Sequence, residues 1–252
     1  MKLDRIYRHP VKSVGSERLD GIDLEAGGSM PGDRVYALAH ARGDWDPGQP
    51  EWMRCSNFVR VAGCPKLAAV ETRFDVATRR VDCRLAGAPD LAADLSGEAG
   101  RQALADWAEA IAGADAPGPY RIAEAPETSL TDSPLQVPSM MSLASLRALG
   151  EVMGEDLDPR RFRGNLWVDG LEPWQELELV GREIAFGPVV LKALEPIVRC
   201  VATAANPATG ERDANPLVPL KRLHGEPLFG MLVEVVAGGR LEAGAEGGVR
   251  SH

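Results

Sequence analysis

Glu176-Leu177-Glu178-Leu179-Val180-Gly181-Arg182-Glu183-Ile184-Ala185-Phe186-Gly187-Pro188-Val189-Val190-Leu191-Lys192-Ala193 is the stretch from which the fold is read. It holds three short apolar runs, Glu176 to Val180, Glu183 to Phe186 and Val189 to Ala193, cut apart by Gly181 and by Gly187-Pro188. Runs of four or five residues between such breaks are strand-length and too short for helices. Val180-Gly181-Arg182-Glu183 reads as a tight hairpin.

The same texture extends outward. Leu3 to Tyr7, Arg34 to Ala39, Leu67 to Phe74, Val81 to Leu85, Leu166 to Val168 and Met231 to Val236 are further strand candidates. With 27 glycines and 19 prolines, the chain turns often. Helices are few. Leu104, Trp107, Ala108 and Ile111 make one apolar stripe over 99–112. Ser142 is a natural N-cap for a helix over 142–153 carrying Leu143, Leu146 and Leu149. A short third helix covers Val218 to His224. The expectation is a mainly β chain, a β-barrel with a few helices (α+β). An N-terminal lobe spans 1–115, a second domain 116–245 and a flexible Gly-rich tail 246–252. The Pro- and Ala-rich stretch 113–139 reads as a linker between the lobes.

Composition narrows the function. The net charge of the 252 residues is −9, which argues against nucleic acid or an anionic membrane as bulk partner. No apolar run has the length of a membrane span or a signal peptide, so a cytoplasmic protein is expected. The four cysteines, Cys55, Cys64, Cys83 and Cys200, are then reduced thiols, read as small buried hydrophobes when taken singly. Common phosphate-loop, dinucleotide and His-zinc motifs are absent, and the cysteine spacing fits no iron–sulfur pattern.

Five segments carry more. They are Tyr7-Arg8-His9-Pro10-Val11-Lys12-Ser13, Gly32-Asp33-Arg34-Val35-Tyr36, Arg161-Phe162-Arg163-Gly164-Asn165, the run from Val198-Arg199-Cys200 to Asn206-Pro207-Ala208-Thr209-Gly210, and Pro227-Leu228-Phe229-Gly230. In this order, from about residue 3 to about 236, the chain resembles the MOSC family, the molybdenum cofactor sulfurase C-terminal domain proteins. It is most similar to the subgroup with an N-terminal MOSC β-barrel, which includes the mitochondrial amidoxime-reducing component. The Arg-Cys and Phe-Arg-x-Asn blocks carry most of that resemblance.

The resemblance implies a molybdenum cofactor, a pyranopterin with a terminal phosphate. It makes Cys200 the metal ligand and catalytic position, a role that suits a soft thiolate. Lys12, Ser13 and Arg34 fall at the phosphate end, with Ser133, Arg163, Asn165 and Arg199 nearby. Taken alone, each cation reads as a solvated surface charge. Asp132 departs from the hydroxyl-bearing residue usual at its place. Thr203 is a further hydroxyl, and His9 and Asp132 are possible proton donors. Asn206 to Gly210 reads as a turn with Gly210 at positive φ. Asp44 to Val61, with Trp45, Trp52 and Met53, departs from the usual pattern, and 239–245 lacks the Asp that usually closes the last strand.

The implied activity is a molybdenum oxidoreductase that reduces N-hydroxylated compounds. A separate electron-donor reductase is expected, since no flavin or iron–sulfur motif is present. The alternative is a non-catalytic carrier or sulfur-handling protein for the same cofactor.

Overall fold

The computed structural model describes residues 1–40, 43–46, 52–125 and 129–250. The first third of the chain holds strands β1 (Lys2–Arg8), β2 (Val11–Lys12), β3 (Glu17–Leu19), β4 (Gly21–Leu24) and β5 (Tyr36–His40). Next come β6 (Glu71–Asp75), β7 (Arg80–Arg84), β8 (Leu91–Asp94), helix α1 (Glu98–Ala112) and β9 (Tyr120–Glu124). The second half holds β10 (Ser139–Ser142), helix α2 (Leu143–Met153), β11 (Leu166–Asp169), β12 (Glu183–Phe186) and β13 (Val189–Val198). It closes with helix α3 (Leu217–His224), β14 (Leu228–Ala237), β15 (Gly239–Glu242) and β16 (Gly247–Val249). The architecture is mostly strands with three α-helices, an α+β fold.

An eight-stranded sheet runs in the order β16-β12-β13-β14-β10-β11-β1-β3. Its apolar face buries Leu3, Ile6, Met140, Val168, Ile184, Leu191 and Val233. A second set of strands, β2-β5-β9 and β6-β7-β8, packs on α1 around Leu38, Leu67, Val81 and Leu104. The two halves of the sequence exchange strands. β1 and β3 lie in the large sheet, and β4 pairs with β15. In return β9, from the stretch read as a linker, pairs with β5 across Tyr36 to His40. Strands on either side of residue 115 thus pair with one another.

The opening stretch needs a correction. Gln175–Leu179 is a 3-10 helix, and the hairpin is the β12–β13 pair, closed where Phe186 meets Val189. Glu176 explains the difference. Its side chain is fully buried and accepts a hydrogen bond from Ser145 Oγ at 2.6 Å, a contact made from a turn packed against α2. The expected tail is corrected too. Gly247–Val249 pairs with β12, because Gly247 has no Cβ to strike the Phe186 ring, which an added Cβ would meet at 2.4 Å. Residues 251–252 lie outside the described residues, as does part of Asp44–Val61.

The helices follow their sequence signals. Ser142 Oγ accepts from Ser145 N at 3.3 Å and caps α2, and Gly154 ends it at φ 73°. α1 buries Leu104, Ala105 and Ala108 on one face. No helix among the described residues is long and apolar enough to cross a membrane.

Candidate functional site

A cavity of about 630 Å³ lies between the two strand systems. Its lining includes every residue expected to hold the cofactor or its metal: Lys12, Ser13, Arg34, Ser133, Arg163, Asn165, Arg199 and Cys200. They come from positions 188 residues apart in sequence, so only the fold assembles them.

The N-terminal wall is made by turns. Ser13 (φ 70°), Arg34 (φ 52°) and Arg163 (φ 49°) are three of the six non-glycine residues with left-handed backbone among the described residues. Such backbone costs about 1–3 kcal/mol at a non-glycine residue and persists where the surroundings over-determine it. Here the surroundings are hydrogen bonds. Val14 N donates to Val11 O at 3.1 Å, and Arg34 N donates to His9 O at 2.7 Å. Arg163 ends the 3-10 helix Pro159–Phe162, with its N–H on Arg160 O at 3.1 Å. Gly164 follows because a Cβ there would meet Met141 Cγ at 2.4 Å.

The guanidinium and ammonium groups are held by backbone oxygens. Lys12 Nζ donates to Leu130 O at 2.6 Å and to Asp132 Oδ1 at 2.5 Å. Arg34 donates to Asp33 and, at 2.7 Å, to the Arg163 carbonyl. Arg163 Nη1 donates to Gly15 O at 2.9 Å, while its Nη2 is buried with no partner. Burial first, and then repulsion from Arg34, pushes the Arg163 pKa down to about 9. Burial lowers the Lys12 pKa, against the pull of Asp132. Burial opposes ionisation of Asp132, but Lys12, Arg34 and Arg163 outweigh it and hold that carboxyl below its usual range. Asp132 is thus an anion at neutral pH and no proton donor there. His9 is fully buried beneath this wall, with Nδ1 3.2 Å from Gly15 O. Burial, with Arg163 and Arg34 adding to it, holds His9 well below its ordinary pKa, so it is neutral at pH 7 and does not donate into the cavity.

The opposite wall is the end of β13. Cys200 is exposed and forms the N-cap of the 3-10 turn Val201–Ala204. Its carbonyl accepts from Thr203 N at 3.2 Å and from Thr203 Oγ1 at 3.1 Å, so the Thr203 hydroxyl is spent on the turn. Arg199 donates to Phe229 O at 2.8 Å and Phe162 O at 2.9 Å, and lies over both rings at 6.0 and 5.8 Å. Burial pushes its pKa down to about 9, partly offset by Cys200. Arg161 braces the turn by donating to Ala204 O at 3.2 Å and to Asp213 at 2.6 Å. Gly210 takes φ 74°, as its turn requires.

The Asn165 amide is committed to the fold. Its Oδ1 accepts from Ser139 N at 3.1 Å and Ser139 Oγ at 2.9 Å, and its Nδ2 donates to Tyr7 O at 3.3 Å. Asn165 lines the cavity where β1, β10 and β11 meet, with its side-chain oxygen taken up by Ser139. Ser133 Oγ likewise accepts from Leu135 N at 3.2 Å within its own turn. Cys55 was grouped with the buried thiols, but it is half-buried and lines the cavity, unlike buried Cys64 and Cys83. Arg60 and Glu195 also line it and carried no signal in sequence, since a lone exposed charge is the commonest surface residue.

The MOSC N-terminal beta barrel domain model matches residues 1–118 and the MOSC domain model residues 128–246, so the chain belongs to the MOSC family. Over 97 residues, 37% of this chain, it is 32% identical to the molybdenum cofactor sulfurase of Drosophila grimshawi. It spans only 12% of that protein's length. The crystal structure of the YUAD protein from Bacillus subtilis superposes with TM-score 0.50 at 15% identity, covering 100% of this chain and 96% of that one, which speaks to the fold alone. YiiM from Geobacillus stearothermophilus aligns over 46% of this chain and 54% of its own, at 17% identity and TM-score 0.35.

Proposed function

We propose that this protein holds the molybdenum cofactor in the cavity and reduces N-hydroxylated compounds, with electrons from a separate reductase. The observation that carries this reading is the meeting of one exposed thiol, Cys200, with four cations, Lys12, Arg34, Arg163 and Arg199, around one cavity. The donor set fits such a group. A thiolate is a soft metal ligand, and the buried Nη2 of Arg163 lacks a partner that a phosphate or pterin oxygen supplies. When bound, the cofactor supplies a two-electron metal centre that can take oxygen from an N-hydroxy group, which leaves as water.

The remaining work falls to the protein. Lys12 and Arg34 neutralise the phosphate end, and Arg163 grips an oxygen with its free N–H. Cys200 would hold the metal through its sulfur. Pro196, Ile197, Val198 and Val201 form an apolar rim that sheds water around the reacting end.

The test is expression in a host that makes the cofactor. Wild-type protein is expected to carry molybdenum and Cys200→Ala to lose it. With reduced dye as electron source, an N-hydroxylated base is then consumed only by the wild type. Absence of molybdenum from the wild type sinks the proposal. The sulfurase relative favours a second reading, a cofactor carrier. Tight cofactor binding without turnover, together with transfer to an apo-enzyme, selects it.

A further inference from the structure

The strongest feature left unused by that reading is the carboxylate inside the cationic wall. We propose that Asp132 is a resident counter-ion on Lys12, displaced when the phosphate of a ligand enters, and that it thereby sets the anion affinity of the cavity. The inference rests on the reading that the cavity accepts a phosphate-bearing ligand.

The two partners differ in freedom. The Lys12 side chain is 5% exposed and pinned by the Leu130 carbonyl, whereas the Asp132 side chain is 68% exposed. When one of them moves, it is Asp132. Its turn is tied elsewhere. Thr131 Oγ1 donates to Ser133 O at 2.7 Å, and Trp52 Nε1 donates to Thr131 O at 2.9 Å. These bonds hold the backbone and leave the carboxylate on Lys12 free to swing into water.

Charge decides the direction. Arg34 is paired with Asp33, which also acts on Arg163, whereas the carboxylate bonded to Lys12 is that of Asp132, whose field reaches Arg163 and Arg199 more weakly. A phosphate carries up to two charges and several acceptor oxygens, and it can satisfy Lys12 and the free N–H of Arg163 together. A released Asp132 is rehydrated at small cost because it is already largely in water. The carboxylate therefore keeps the buried ammonium paired in the empty cavity and competes with every anion that enters. The departure from a hydroxyl-bearing residue at this position is then functional.

The test is calorimetric titration with inorganic pyrophosphate of the wild type, Asp132→Asn and Asp132→Ser, each first shown to be folded by its thermal melt. Both variants are expected to bind about tenfold more tightly than the wild type at low salt, with the gap narrowing at 0.5 M salt. Equal or weaker binding by both variants, with the wild type still binding, overturns the counter-ion role and makes Asp132 a positioning residue for Lys12. Failure of all three proteins to bind overturns this inference and the phosphate-site reading beneath it.

Discussion

The Lys12 side of the cavity and the Cys200 side are built in opposite ways. Lys12 ends β2, Arg34 and Arg163 sit on turns with left-handed backbone, and all three side chains are tied to carbonyl oxygens before any ligand arrives. Cys200 stands at the free end of β13, exposed, with nothing but its carbonyl engaged. In the proposed function the wall that binds the anion is preorganised and the thiol is left open. That division suits a site that must recognise a fixed anion yet leave its thiol free for a metal.

Variants can break this contrast. The largest effect is expected at the open side. Cys200→Ala should abolish molybdenum retention, measured by elemental analysis, while shifting stability by no more than about 0.5 kcal/mol, as for an exposed residue. A large fall in melting temperature would mean that the thiol is structural. On the preorganised side, Arg163→Gly removes the guanidinium but relieves the left-handed backbone. Pyrophosphate affinity should fall about tenfold or more, in proportion to a lost charge-assisted bond, with little loss of melting temperature. Unchanged affinity would remove Arg163 from the anion site.

Away from the cavity the protein treats a buried charge differently, and this sharpens the comparison. Glu176 has a hydroxyl partner, Ser145, and no cation beside it, and burial pushes its pKa up to about 7. A carboxyl whose folded pKa is raised contributes its full stability below the unfolded value, near 4.5, and loses it as pH rises towards 7. Glu176→Gln should therefore stabilise the protein at pH 8 by on the order of 3 kcal/mol and flatten the pH profile between those values. Melts at pH 5 and pH 8 that move in parallel for both proteins would refute it. The smallest effect is local. Ser142→Ala removes the cap of α2 and should cost about 1 kcal/mol in chemical denaturation.

The sequence was most legible where chemistry and geometry are local. Gly210 and Ser142 announced their turn and cap because those conformations favour these residue types. Glu176–Val180 misled because its alternation resembles a strand, while the burial of one carboxylate against Ser145 turned it into a 3-10 helix. The structural bonds of Asn165 left no local mark, since its partners Ser139 and Tyr7 lie 26 and 158 residues away. Cys55, Arg60 and Glu195 reached the cavity without any local pattern to mark them.

Residue types and their order were enough to establish the MOSC family, the mainly β character, the three helices and the thiol to watch. Those properties depend on propensity, on turn chemistry and on motifs a few residues long. Which side chains share one cavity, which amide is free, and which carboxylate rests on Lys12 depended on strands exchanged between the two halves of the chain. Contacts of that kind are set by packing and desolvation between distant segments, and no local pattern in the chain records them.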